Sequence, residues 1–243
     1  NPRRVRMFLA EKGLLDQVEL VQVDIEKGEN LSPEFVARNP MKKVPVLELD
    51  DSTCIAETMA ICRYFEESYP DTPSLLGESA LEKAQVEQWL RWIEFYFMMP
   101  TGMCFQHTTG YFKDRMNPIK EWGEECGQGV EKFMHFLNKQ LEGREYLCCD
   151  RFTAADINAF TTVAFARVVN IRIKPEQEHL QAWFDRIGAV LRDHAVDYVK
   201  WDHNRLLPYP DAAQTRGVYD LLDRLRAAHP KVEIESCASG GGR

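Results

Sequence analysis

The chain has 243 residues, 44% of them hydrophobic and 28% charged, which is ordinary for a folded protein with a sizeable core. Its formal net charge of −8 argues against a general nucleic-acid binder, because neutralising phosphates takes an excess of Lys and Arg. No apolar run is long enough to span a bilayer and no secretory leader opens the sequence, so no membrane partner is expected.

From Arg3 to Lys12, Val5, Phe8 and Leu9 recur at helical spacing, and Gly13 closes that helix. Arg3 and Arg4 read as exposed charges at its start. "VELVQV", Val18 to Val23, alternates like a strand with one buried face. Ser32-Pro33 caps a short helix. "KVPVLEL" and "STCIA" are strands joined by an Asp50-Asp51 turn, and a helix runs from about Glu57 to Tyr69, stopped by Pro70. Beyond the loop "PDTPSLLG" helix signals take over: Leu81 to Met99, then Trp122 to Leu141 despite Gly127 and Gly129. In "DRFTAADINAF", Thr153 and Asp156 form a capping pattern for a third long helix, and Leu180, Trp183, Phe184 and Ile187 mark a fourth. Past Gly188, "VDYVKWD", "GVYDLLDRLRAAHP" and "VEIESCA" read as one βαβ unit with parallel strands. The seven cysteines lack framework spacing, which suits a reducing cytoplasm. Cys148-Cys149 is a bare pair, and no metal site is expected.

The motifs "NPRRVRMFLAEKGL", "NPMKKVPVLELDD", "ETMAICRYFEE" and "DRFTAADI", in this order, resemble the glutathione transferase family. The resemblance covers about residues 1–188. It implies a thioredoxin-like subdomain over 1–75, incomplete because its first strand and activating residue would precede Asn1, and a helical transferase subdomain over 76–188. It implies glutathione as cosubstrate, a small electrophilic partner and a homodimer. Val44 would pair its backbone with the cysteinyl part of glutathione beside a cis Pro45, Glu57 and Thr58 would hold the γ-glutamyl end, and Lys42 and Lys43 would meet the glycyl carboxylate. Phe105, His107, Tyr111 and Phe112 fall where the family places its second-substrate site. His107 could serve as acid or base there, but a hydrogen-bonded structural role is favoured.

"DYVKWDHNR" and "VEIESCASGGGR" resemble the α-galactosidase (melibiase) family of retaining glycoside hydrolases, built on a (β/α)8 barrel, over about residues 189–243. By that resemblance Asp202 would be the nucleophile, Lys200 and Asn204 would contact sugar hydroxyls, and Cys237 and Gly240 would shape the pocket. Retaining hydrolysis needs two carboxylates across the glycosidic bond, and the resemblance carries over one. The fold class read from the sequence is therefore α/β plus all-α, followed by one βαβ unit of a barrel. The leading function is conjugation of glutathione thiolate to an apolar electrophile, impaired without its activator. The alternatives are a non-enzymatic glutathione-binding or dimerisation module and an inactive α-galactosidase fragment.

Overall fold

Asn1 opens the first helix, α1 (Pro2–Glu11), its Oδ1 accepting from the Arg3 N–H at 3.0 Å. A computed structural model describes residues 1–193, 198–202 and 233–237, with side chains through Ala189. It divides into two units, Asn1–Ala189 and Val190–Arg243. In the first unit α1 buries Val5, Met7, Phe8 and Leu9, the face that its apolar spacing sets. Arg4 departs from the sequence reading. It is 2% exposed, with Nη1 donating to Glu94 Oε2 at 2.9 Å and Nη2 to Thr162 Oγ1 at 3.3 Å. Its aliphatic stem lies on the buried face of α1, so its charge needs partners inside the fold.

Val18–Val23 also departs from expectation. The segment is not a strand, and Leu20 and Val21 are 55% and 77% exposed. Alternation marks a segment that suits a sheet, but a ladder needs a partner strand, and no described strand pairs with it. Helix α2 (Pro33–Arg38) begins as expected, with Ser32 Oγ accepting from the Phe35 N–H at 3.2 Å. Strands β1 (Val46–Glu48) and β2 (Cys54–Ala56) then form a two-stranded antiparallel sheet, followed by α3 (Thr58–Ser68).

The connection after α3 is fixed by Glu66. Its Oε1 accepts from Ser74 Oγ at 2.8 Å and from the N–H groups of Leu75 and Leu76 at 3.0 Å each. Its Oε2 takes the ammonium of Lys12 at 2.8 Å, and that ammonium also donates to the Pro73 carbonyl at 2.9 Å. Burial would raise the Glu66 pKa, but Lys12, the Leu76 N–H and the Ser74 hydroxyl hold it below its ordinary value.

The helix expected over Leu81–Met99 is interrupted. Helix α4 (Ala80–Ile93) passes through a π-helical turn, Glu94–Met98, into α5 (Met99–Thr108). Pro100 accounts for the change: it lacks an N–H and its ring crowds the carbonyl four residues earlier, a conflict that a widened turn relieves. Helix α6 (Lys120–Gln140) packs against α5 through Gly123 and Gly127. A Cβ on Gly123 would lie 2.7 Å from Thr108 Cγ2, and one on Gly127 would lie 3.2 Å from Cys104 Sγ.

Helix α7 (Ala154–Ala166) is buried on nearly every side, from Ala154 through Val163. Its hydroxyls are satisfied internally, Thr161 Oγ1 donating to Ile157 O at 2.9 Å and Thr162 Oγ1 to Asn158 O at 2.7 Å. The expected cap is present and has gained two further donors. Asp156 Oδ2 accepts from Thr153 N at 3.0 Å and from Thr153 Oγ1 at 3.2 Å, while Oδ1 accepts from Leu147 N and Trp183 Nε1 at 3.1 Å each. Trp183 belongs to α8 (Glu178–Asp193).

In the second unit β3 (Tyr198–Asp202) and β4 (Glu233–Cys237) pair in parallel, with Tyr198 opposite Glu233 and Asp202 opposite Cys237. That is the pairing the βαβ reading requires. The helix expected between them, and Asn204 and Gly240, lie outside the described residues.

Burial pushes the Asp156 carboxyl up to about 6, against four donors that favour its charged form. The native state therefore holds this proton more tightly than the unfolded chain. The stabilisation linked to it is complete below about pH 4 and lost as pH rises through about 6. Asp156→Ala is expected to cost about 3 kcal/mol or more, since it orphans buried donors. Urea unfolding measured across that pH range should show the margin over the variant shrinking as pH rises.

Candidate functional site

The loop after α2 is shaped by two buried asparagines. Asn39 Nδ2 donates to Lys43 O at 2.6 Å while its Oδ1 accepts from Met41 N at 3.0 Å. Asn30 Nδ2 donates to Lys42 O at 2.7 Å. Lys42 takes a φ of 57°, uncommon for a residue with a Cβ, and the side chains of Lys42 and Lys43 are exposed. The loop delivers the Val44–Pro45 peptide, which is cis, to the start of β1.

The β1–β2 register then sets the geometry. Val46 lies opposite Ala56, so Val44-Pro45 at the head of one strand adjoins Glu57-Thr58 at the tail of the other. Glu57 has a φ of 70° and a ψ of 124°, and no side chain caps α3 behind it. Backbone of this kind costs about 1–3 kcal/mol and persists only where the surroundings impose it. Thr58 is buried at the first helical position and Glu57 is exposed. An uncapped helix start of this kind presents N–H groups and a positive dipole end, a fitting seat for a carboxylate. Val44 and Pro45 thus adjoin Glu57 and Thr58, with Lys42 and Lys43 on the loop that leads to them. Asn30 and Asn39, which hold it, escaped the sequence reading. The signal for Asn39 was there: an Asn-Pro pair directly after a helix marks a side-chain-closed turn.

The aromatic residues form a second cluster. Phe105, half-buried on α5, lies 5.3 Å from Tyr111 and 6.1 Å from Phe112 by ring centroid, and Tyr111 and Phe112 are 4.8 Å apart. Tyr111 donates its hydroxyl to Glu26 Oε1 at 3.1 Å, joining this loop to the turn before α2. His107 sits apart from these rings in role. Its Nδ1 accepts from the Ile119 N–H at 2.8 Å, closing the loop between α5 and α6.

In the second unit the register places Lys200 opposite Glu235 and ends both strands together at Asp202 and Cys237. No group of three or more His, Cys, Asp or Glu among the described residues could hold a metal ion. No helix among them is long and apolar enough to cross a membrane.

Comparisons with known proteins agree with this architecture. The family model described as Glutathione S-transferase, N-terminal domain matches residues 1–68, and its C-terminal domain counterpart matches 97–189. Glutathione S-transferase 2 of Saccharomyces cerevisiae is 37% identical over 188 residues, 76% of this chain and 80% of the relative. The chain belongs to the glutathione S-transferase family. Glutathione S-transferase F10 of Arabidopsis thaliana is 32% identical over 78% of this transferase chain and 88% of its own. The crystal structure of Gtt2 from Saccharomyces cerevisiae superposes with a TM-score of 0.73 at 37% identity, covering 76% of this chain and 90% of that one. That of a glutathione S-transferase domain-containing protein from Marinobacter aquaeolei superposes at 0.74 with 39% identity, covering 77% and 92%. The Melibiase family model matches residues 166–243 of the transferase chain, overlapping the end of the helical part.

Proposed function

We propose that this transferase binds glutathione along the stretch from Lys42 to Thr58 and presents its thiolate to an apolar electrophile held against Phe105, Tyr111 and Phe112. The observation that carries the reading is the cis Val44–Pro45 peptide lying, by the β1–β2 register, beside the uncapped start of α3. In this reading the Val44 backbone meets the cysteinyl unit and the N–H groups of α3 with Thr58 take the γ-glutamyl carboxylate. Lys42 and Lys43 attract the glycyl carboxylate. Conjugation is attack of the thiolate on an electrophilic carbon with departure of its leaving group. An unperturbed thiol has a pKa of about 8.5 and so is mostly protonated at neutral pH. The residues named bind and orient, and activation of the thiol is assigned to none of them. His107 is left to its structural bond.

A homodimer belongs to the same reading. Phe95, Tyr96 and Met99 are 50%, 61% and 46% exposed around the π-helical turn. A groove beside them is lined by Pro100, Gly129, Phe133 and Phe136, an apolar surface suited to a second copy. The glycosidase reading ranks below it. It has one carried-over carboxylate, Asp202, where the reaction needs two.

Thr58→Val should weaken glutathione binding about tenfold in calorimetry, the loss of one hydrogen bond to a charged group. On the same sample glutathione binding is expected to be robust relative to turnover of a chromogenic aryl halide. Binding that is unchanged in the variant would remove the assigned site. Tyr96→Lys is expected to convert a dimer to monomers in sedimentation; a wild-type chain that is already monomeric would sink that part of the reading. An aryl α-galactoside should release no chromophore above background. Release that disappears in Asp202→Asn would reverse the ranking of the two readings.

A further inference from the structure

Cys148 and Cys149 sit in the turn between α6 and α7, and neither takes part in the glutathione reading. They are the one pair of adjacent cysteines in the sequence. Both are half-buried. They leave neighbouring Cα atoms on one turn. Cys148 Sγ also lies 3.7 Å from Thr153 Oγ1, and Cys149 Sγ 4.0 Å from Gln85 Oε1 on α4.

The turn is held on both sides of the pair. Leu147 N donates to the buried Asp156 Oδ1 at 3.1 Å. Arg151 donates through Nη1 to Ser74 O and through Nη2 to Glu82 Oε2, the latter at 3.1 Å. Between these anchors Cys149 and Asp150 adopt φ values of 64° and 45°, so the backbone turns sharply at the second cysteine. Two neighbouring thiols on a tethered turn form a ready bidentate donor.

We propose that Cys148 and Cys149 form a chelating site for trivalent arsenicals. The step balances without a redox partner. An organoarsenic oxide, R–As=O, condenses with both S–H groups, forming two As–S bonds and releasing one water; arsenic stays trivalent. Burial pushes the Cys148 thiol up to about 12 and raises Cys149 as well. Both groups are therefore thiols at neutral pH, and the condensation carries their two protons away in the water that leaves. Once one As–S bond has formed, the second thiol acts at an effective concentration in the millimolar range or above, worth about 10²-fold or more in retention over a single thiol. Glutathione, a monothiol, strips arsenic from isolated cysteines far more readily than from such a pair.

The test uses the reduced full chain with equimolar phenylarsine oxide in a large excess of glutathione, read by intact mass and peptide mapping. One adduct is expected, mapping to the peptide with Cys148 and Cys149 and released by ethanedithiol. Cys148→Ser and Cys149→Ser should each lose it, while Cys54→Ser should keep it. Thermal unfolding of each Ser variant identifies one that has merely failed to fold, and Cys149→Ala then serves as the substitute. No adduct on the folded wild-type chain, one that survives in either Ser variant, or one that maps to Cys104 and Cys126 would overturn the proposal.

Discussion

The carboxylate of Asp156 answers four donors from three parts of the chain, and the helical half is arranged around it. Thr153 supplies the cap of α7, Leu147 the end of the preceding loop, and Trp183 the face of α8. A helix buried on nearly every side, as α7 is, offers few polar groups that can be tied to anything else. Fixing its first turn fixes the entry of the chain into the core. Helices α1, α4 and α5 pack against that fixed centre, and α6 packs on α5 with glycines where the two come closest.

Polar struts of the same kind hold the first half against the second. Arg4 reaches from α1 to Glu94 at the π-helical turn and to Thr162 on α7. A buried cation in this position is costly unless paired, so the pair specifies how α1 meets the helical bundle more than it stabilises it. The surface assigned to glutathione hangs from the α1 side of that junction, on β1, β2 and the start of α3.

The local features were legible in the sequence. Ser32-Pro33, the Thr153–Asp156 box and the periodic apolar faces act within a turn or two of themselves, and each formed where the pattern put it. The Val18–Val23 alternation was read correctly as pattern and wrongly as structure, because pairing depends on a neighbour that no property of the segment specifies. Arg4, Lys12 and Glu66 were invisible for a related reason. A charged residue on a helix looks solvated until the fold brings its partner from 54 or 90 positions away. The candidate site lay between these cases. Pro45, Glu57 and Thr58 were named through resemblance; of the asparagines that shape their loop, Asn39 carries a signal in the Asn-Pro pair, whereas Asn30 acts through the Lys42 carbonyl, which has no side-chain signature.

Glu66 shows where the specification of a loop can reside. It reads the connection to the helical half mainly through main-chain N–H groups at Leu75 and Leu76, with a single hydroxyl from Ser74. Every amino acid except proline offers that N–H. The conformation of the connector is therefore encoded mostly on α3, outside the connector itself. Burial still constrains the side chains of Leu75 and Leu76, but the hydrogen bonds that set the path ask nothing of them.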